Sequence, residues 1–214
     1  MTFTRRNLPH LHFEFGIYFV TFNLAGTLPN VAQINNTDIK SNSTNSNNLC
    51  YCKKDSRLII PNVAQINNTN VKLNSTNSNN LCYGKKDKRV FQKYDDILDS
   101  EKYGEKYLSN DKIARFVKHC LHYPDNKDYN LICYSIMSNH VHVMFKLIKG
   151  NKGLSKIMQS IKRISATRSN KILGRTGTFW QDESFDRLIR NEKEFLAVLR
   201  YVLNNPVKAG LVAH

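Results

Sequence analysis

The segment Met137-Ser138-Asn139-His140-Val141-His142-Val143-Met144-Phe145 sets two imidazoles one apolar residue apart. Side chains on a β-strand alternate between its faces, so His140 and His142 project together while Val141, Val143 and Phe145 turn toward a core. A same-face imidazole pair can hold a divalent ion, and the same spacing serves equally in a half-exposed structural strand. The choice rests on what else the fold brings to the pair. His10-Leu11-His12 copies the spacing without the hairpin context, and reads as a structural or loose terminal feature. His119-Cys120-Leu121-His122 imitates a metal cluster at a helix end, where the helix dipole already favours histidine.

A second group stands near the carboxyl end. Tyr201 and Asn205 lie four residues apart, about one turn, on a helix that begins near Glu192. Phe195, Val198, Leu199, Val202 and Leu203 form its apolar stripe. Tyr201 falls beside that stripe, so its hydroxyl either snorkels to water or faces a site. The helix is expected to stop at Pro206, because proline pushes the residue before it out of α geometry.

The elements that must position these residues follow from periodicity. Phe13 to Leu24 reads as a strand from its aromatic and β-branched content. Asp111, as N-cap, opens a helix carrying Ile113, Phe116, Val117 and Leu121 toward His122 and Pro124. Tyr129 to Met137 and Asn139 to Leu147 read as strands whose short Ser138-Asn139 link makes an antiparallel hairpin. A helix from Leu154 to Ile172 sets Leu154, Ile157, Met158, Ile161 and Ile164 on one stripe, and Ser184 to Ile189 is a last strand. Strand, helix, strand, strand, helix, strand, helix predicts an α+β domain. Its form is a ferredoxin-like, split βαβ antiparallel sheet with helices on one face.

A formal net charge of +15 over 214 residues implies a polyanionic partner, nucleic acid ahead of an anionic membrane surface. Between Lys146 and Arg175 stand nine Lys or Arg and no Asp or Glu. Solvated helix faces normally interleave both signs, so this run has the footprint of a phosphate-binding face. Lys162, Arg163, Arg168, Lys171 and Arg175 are the candidate phosphate-backbone contacts, with Arg187 and Arg190 nearer the tyrosine helix. Phe179 and Trp180 are candidates for stacking on bases, Trp180 equally for anchoring the core. Cys50, Cys52, Cys82, Cys120 and Cys133, irregularly spaced and without a Cys-x-x-Cys pair, argue against a disulfide framework or zinc knuckle and fit the cytoplasm. No apolar run reaches the roughly 18 residues of a membrane span, and Phe13 to Gly26, broken by Glu14, is a strand rather than a signal core.

Residues 29–55 and 61–87 are tandem copies that differ only at Asp38/Asn70, Ile39/Val71, Ser41/Leu73 and Cys52/Gly84. The unit is rich in Asn, Ser and Thr and has little to bury, and two copies fall short of the roughly three that a solenoid needs. Residues 29–87 therefore read as a low-complexity insertion, a loop or disordered, between the two parts of one domain, 1–28 and 88–214.

Taken together, Ser138-Asn139-His140-Val141-His142, Gly177-Thr178-Phe179-Trp180-Gln181, Phe185-Asp186-Arg187-Leu188-Ile189-Arg190 and Tyr201-Val202-Leu203-Asn204-Asn205-Pro206-Val207-Lys208-Ala209-Gly210-Leu211-Val212 resemble the HUH single-tyrosine transposases, especially their REP-associated branch. The resemblance spans residues 1–28 loosely and 88–212 closely, and the insertion departs from it. It implies that His140 and His142 bind a divalent metal, Mg²⁺ or Mn²⁺, that Asn205 completes the metal shell, and that Tyr201 is the nucleophile. Imidazole ligands suit Mn²⁺ better than Mg²⁺. The implied activity is metal-dependent cleavage and rejoining of single-stranded or hairpin DNA, by a monomer or a homodimer. Tyr201 would displace a 3′-hydroxyl and keep the 5′ end as a phosphotyrosine. The alternative keeps the basic face and loses the chemistry: a transposase-derived protein, catalytically impaired by the insertion, that binds single-stranded or hairpin DNA. A hydrolase of small phosphoesters would leave the basic face unexplained.

Overall fold

The computed structural model describes residues 15–28 and 93–206 in full, and the backbone of 2–5, 9–12, 49–52 and 207–208. A short antiparallel hairpin joins β1 (Thr2–Arg5) to β2 (Pro9–His12). Then come β3 (Gly16–Asn23), β4 (Leu49–Cys52), a helix α1 at 93–99, a 3-10 turn (Tyr107–Ser109) and α2 (Asp111–His122). The chain continues through β5 (Tyr129–Ile136), β6 (His140–Leu147), α3 (Leu154–Leu173), β7 (Phe185–Ile189) and α4 (Glu192–Lys208). The main sheet has the order β4-β5-β6-β3-β7 and every pairing is antiparallel. The expected α+β sheet is present, and β5 and β6 form the predicted hairpin, closed by the Met137 amide donating to the His140 carbonyl at 2.9 Å.

Alternation along β3 and β6 divides the interior in two. Tyr18, Val20 and Phe22 join Val141, Val143 and Phe145 on one face, where the apolar sides of α2 and α3 close the larger core. Ile17, Phe19 and Met144 point the other way and pack with Phe195, Val198 and Val202 of α4. Helices were expected on one face only; α2 and α3 meet that expectation, and α4 covers the opposite face. The reason is legible in β3 and β6, which are buried at nearly every position, as strands covered on both sides must be.

Local boundaries differ in instructive ways. The cap of α2 is Asn110, whose side chain accepts from the amides of Lys112 and Ile113, and Asp111 is the first helical residue. Helix α4 does not stop at Pro206 but runs through it to Lys208, and the missing N–H costs the helix one bond, the one to the Val202 carbonyl. Ile164, placed on the apolar stripe of α3, is exposed. Gly174 closes α3 in the left-handed conformation at φ 64°, the usual glycine stop. Leu49–Cys52 of the first repeat copy pairs with Cys133–Ile136 as an edge strand, and the rest of 29–87 lies outside the described residues.

Trp180 is a core anchor. Its indole N–H donates to Ser165 Oγ at 2.8 Å, its ring meets Phe22 edge-on, and Phe179 beside it is buried as well. Neither ring is exposed for base stacking. Among the described residues no helix is long and apolar enough to cross a membrane.

Candidate active site

The register of β3 against β6 sets His140 opposite Asn23 and His142 opposite Thr21, on the face covered by α4. Both rings are buried, and their Nε2 atoms stand 3.0 Å apart. The amide of Asn139 donates to the Leu98 carbonyl at 3.1 Å, which turns its oxygen toward His140 Nδ1 at 2.6 Å. That oxygen only accepts, so His140 carries its proton on Nδ1 and presents a lone pair at Nε2. Burial lowers the His140 pKa to about 3 and keeps the ring neutral. His142 Nδ1 lies 2.8 Å from the Thr21 hydroxyl.

Helix α4 delivers Tyr201 to this pair. Its hydroxyl lies 3.4 Å from His142 Nε2, and Phe19 seats both rings, stacked on His142 and edge-on to Tyr201. Helix α1 delivers two acids one turn apart. Asp95 accepts a hydrogen bond from the Tyr201 hydroxyl and lies 3.6 Å from His142 Nε2; Asp99 lies 3.6 Å from His140 Nε2. Buried Ile97 and Leu98, together with the Tyr94 hydroxyl donating to Asn23 at 2.6 Å, hold α1 in place. Burial first, and then the charge of Asp95, push the Tyr201 phenol well above its ordinary pKa, while the nearby Asn205 amide acts in the opposite sense.

Asp95, His140 and His142 each offer a ligand atom within 4.8 Å of the others, and all three are buried. Two imidazole nitrogens and a carboxylate fit a divalent transition ion. Asn205, expected as the third ligand, is buried one turn beyond Tyr201, and neither end of its amide forms a well-aligned hydrogen bond. A buried amide left in that state is a donor set in want of a ligand. Asp95 and Asp99 were missed from the sequence. The available signal was the Asp-x-x-x-Asp spacing of Asp95-Asp96-Ile97-Leu98-Asp99, which sets both acids on one side of a turn.

The other candidates separate by environment. His119 and His122 close α2 on the far side of the sheet, and His122 Nε2 meets the Tyr134 hydroxyl at 3.2 Å. The side chains of His10 and His12 lie outside the described residues. Lys162 turns inward, its ammonium bonded to the carbonyls of Gln181, Asp182 and Glu183, and burial lowers its pKa to about 8. Arg175 holds Asn170 and the Thr178 carbonyl and lies over the Tyr107 ring. Arg187 pairs with Glu194. Arg163, Arg168 and Lys171 are exposed, and Arg190 is half-buried. Because α3 packs on the face opposite the histidines, the exposed basic row and Tyr201 occupy opposite sides of the sheet.

Known proteins complete the picture. A solved structure titled "Structure of the REP associates tyrosine transposase bound to a REP hairpin" is similar over 99% of this chain and 76% of that one, at 15% identity and a TM-score of 0.49. No curated protein matches. The model of the family described as "Transposase IS200 like" matches residues 90–205, more than half of the chain, and takes in Asp95, both histidines, Tyr201 and Asn205. The chain belongs to the IS200-like transposase family.

Proposed function

We propose that this transposase cleaves and rejoins single-stranded or hairpin DNA through a 5′-phosphotyrosine link at Tyr201, with Mg²⁺ or Mn²⁺ held by His140, His142 and Asp95. The observation that carries this reading is the Tyr201 hydroxyl 3.4 Å from His142 Nε2, beside an imidazole pair only 3.0 Å apart. When bound, the ion supplies Lewis-acid polarisation of the scissile phosphate.

The phenol oxygen attacks phosphorus, and its proton passes to Asp95, to which it already donates. The 3′-oxygen leaves and takes a proton from water. Attack by a 3′-hydroxyl on the phosphotyrosine reverses these steps and rejoins a strand. Asn205 favours the phenolate from one turn away and is available to complete the ion's shell. Arg163, Arg168 and Lys171 contact phosphates, with Arg190 nearer α4, whereas Lys162, Arg175 and Arg187 shape the surface through the bonds they already make.

Labelled hairpin DNA incubated with the protein and Mn²⁺ should leave label on the protein through denaturing electrophoresis, and Tyr201→Phe should abolish it. An equal adduct from the variant overturns the assignment. The Tyr201–Asp95 hydrogen bond also favours a second reading, DNA binding without cleavage, since it holds the phenol protonated. That reading predicts salt-sensitive hairpin binding and no adduct with any divalent ion.

A further inference from the structure

The loop that follows α1 turns back onto the histidine hairpin. Glu101 takes the left-handed conformation at φ 52°, a strained state for a residue with a side chain, and its amide donates to the Leu98 carbonyl at 3.1 Å. The turn brings its carboxylate to Ser138, at the corner between β5 and β6, and the two oxygens take separate partners. One accepts from the buried Ser138 hydroxyl, and the other pairs with Lys106 at 2.6 Å. Ser138 is gripped a second time, its carbonyl accepting from the Leu108 amide at 3.0 Å. Gly104, at φ 72°, lets the same loop lie against Gly26 and Thr27, where a Cβ would come within 2.8 Å of their backbones. Backbone strain that persists under so many ties points to a geometry that is used.

We propose that Glu101 is a positioning residue, the latch that fastens the end of α1 to Ser138 and so keeps Asp95 on the Tyr201 hydroxyl. Helix α1 spans only 93–99, too short to hold its shape in water, so its placement depends on its ties to the sheet. The Tyr94 hydroxyl fixes its first turn on Asn23 at 2.6 Å, and the Asn139 amide meets Leu98 near its end at 3.1 Å. That last bond is between neutral groups. The Glu101 carboxylate adds a charge-assisted bond to a buried hydroxyl, roughly twice as strong. Without it the end of α1 lifts, and Asp95, on the same short body, moves off Tyr201. This inference rests on the proposed role of Asp95 in accepting the phenol proton, and adds the group that holds Asp95 in place.

Three variants and two measurements test it. With saturating hairpin DNA and Mn²⁺, single-turnover adduct formation should be about 10- to 100-fold slower in Glu101→Ala, with hairpin affinity within about threefold of wild type. Glu101→Gln still accepts from Ser138 and should stay within about threefold of the wild-type rate. Glu101→Gly relieves the left-handed turn without restoring the latch. It should therefore unfold at a higher temperature than Glu101→Ala yet form adduct as slowly, a split that a merely structural residue would not give. A wild-type rate in Glu101→Ala or Glu101→Gly, or a loss in Glu101→Gln as large as in Glu101→Ala, overturns the latch. Amide hydrogen exchange at residues 97–101, measured without DNA, should be at least about tenfold faster in Glu101→Ala than in wild type. Unchanged exchange overturns the latch whatever chemistry the site performs. A protein that passes the exchange test while its wild type forms no adduct overturns instead the phosphotyrosine reading. If Glu101→Ala does not fold, Glu101→Gly replaces it in both measurements.

Discussion

The Tyr201 hydroxyl and His142 Nε2 lie 3.4 Å apart although 59 residues separate them, one on α4 and the other on β6. Phe19, from a third element, fills the angle between their rings. Neither α4 nor β6 alone fixes that distance. It depends on the sheet face that Phe19, Met144 and Val202 build together.

Phe19→Leu keeps an apolar side chain but removes the ring that seats both groups. Hairpin affinity should stay within about threefold, while single-turnover adduct formation falls about 10- to 100-fold, the order that a misplacement of up to about 1 Å at a reacting atom can cost. An unchanged rate would mean that α4 positions Tyr201 without this support.

Asp95 and Asn205 make unequal predictions for metal binding. Mn²⁺ affinity should fall at least about tenfold in Asp95→Asn, which loses the carboxylate of the buried group. Asn205→Ala should lose clearly less. The reverse order, measured by the same titration, would restore Asn205 as the principal third ligand.

The sequence carried the fold further than the site. Period-two alternation placed His140 and His142 on one strand face, and helical spacing placed Tyr201 beside the stripe of α4. The spacing of Asp95 and Asp99 put two acids on one side of a turn, but their role stayed illegible because it depends on where α1 docks after a long insertion that offers no pattern to reason from. Lys162 misled because charge alone does not say which way a lysine points. Only the carbonyls of Gln181, Asp182 and Glu183, brought close by tertiary packing, draw it inward. Pro206 misled because a local steric rule yields where only the last residues of a helix remain.

His140 gives the metal-free protein a pH dependence of stability. Its folded pKa is lowered from 6.5 to about 3, so between those values the unfolded chain binds more protons than the folded one. The neutral buried ring costs no proton affinity above pH 6.5, and stability is lost as pH falls from there toward 3. Urea unfolding in chelator should give a free energy about 2 kcal/mol lower at pH 5 than at pH 7.5 from this residue. His140→Gln should remove that part of the slope; an identical slope in the variant contradicts a neutral buried ring.

The exposed basic row of α3 should act uniformly on DNA affinity. Replacing Arg163, Arg168 and Lys171 together by Ala should lower the slope of log affinity against log salt by about 2, at about 0.7 for each single-strand phosphate contact. Cleavage of DNA already bound should proceed at the wild-type rate, because the row lies across the sheet from Tyr201. An unchanged slope would move the DNA track to another surface.

The most direct measurement is to locate the covalent bond. Trypsin cuts after Arg200 and Lys208, so the peptide Tyr201 to Lys208 carries the proposed nucleophile as its only hydroxyl side chain. After incubation with hairpin DNA and Mn²⁺, nuclease trimming and digestion, mass spectrometry should find that peptide heavier by a nucleotide linked through its 5′-phosphate to Tyr201. The same added mass on another peptide, or cut DNA with no modified peptide, would contradict a phosphotyrosine mechanism at Tyr201.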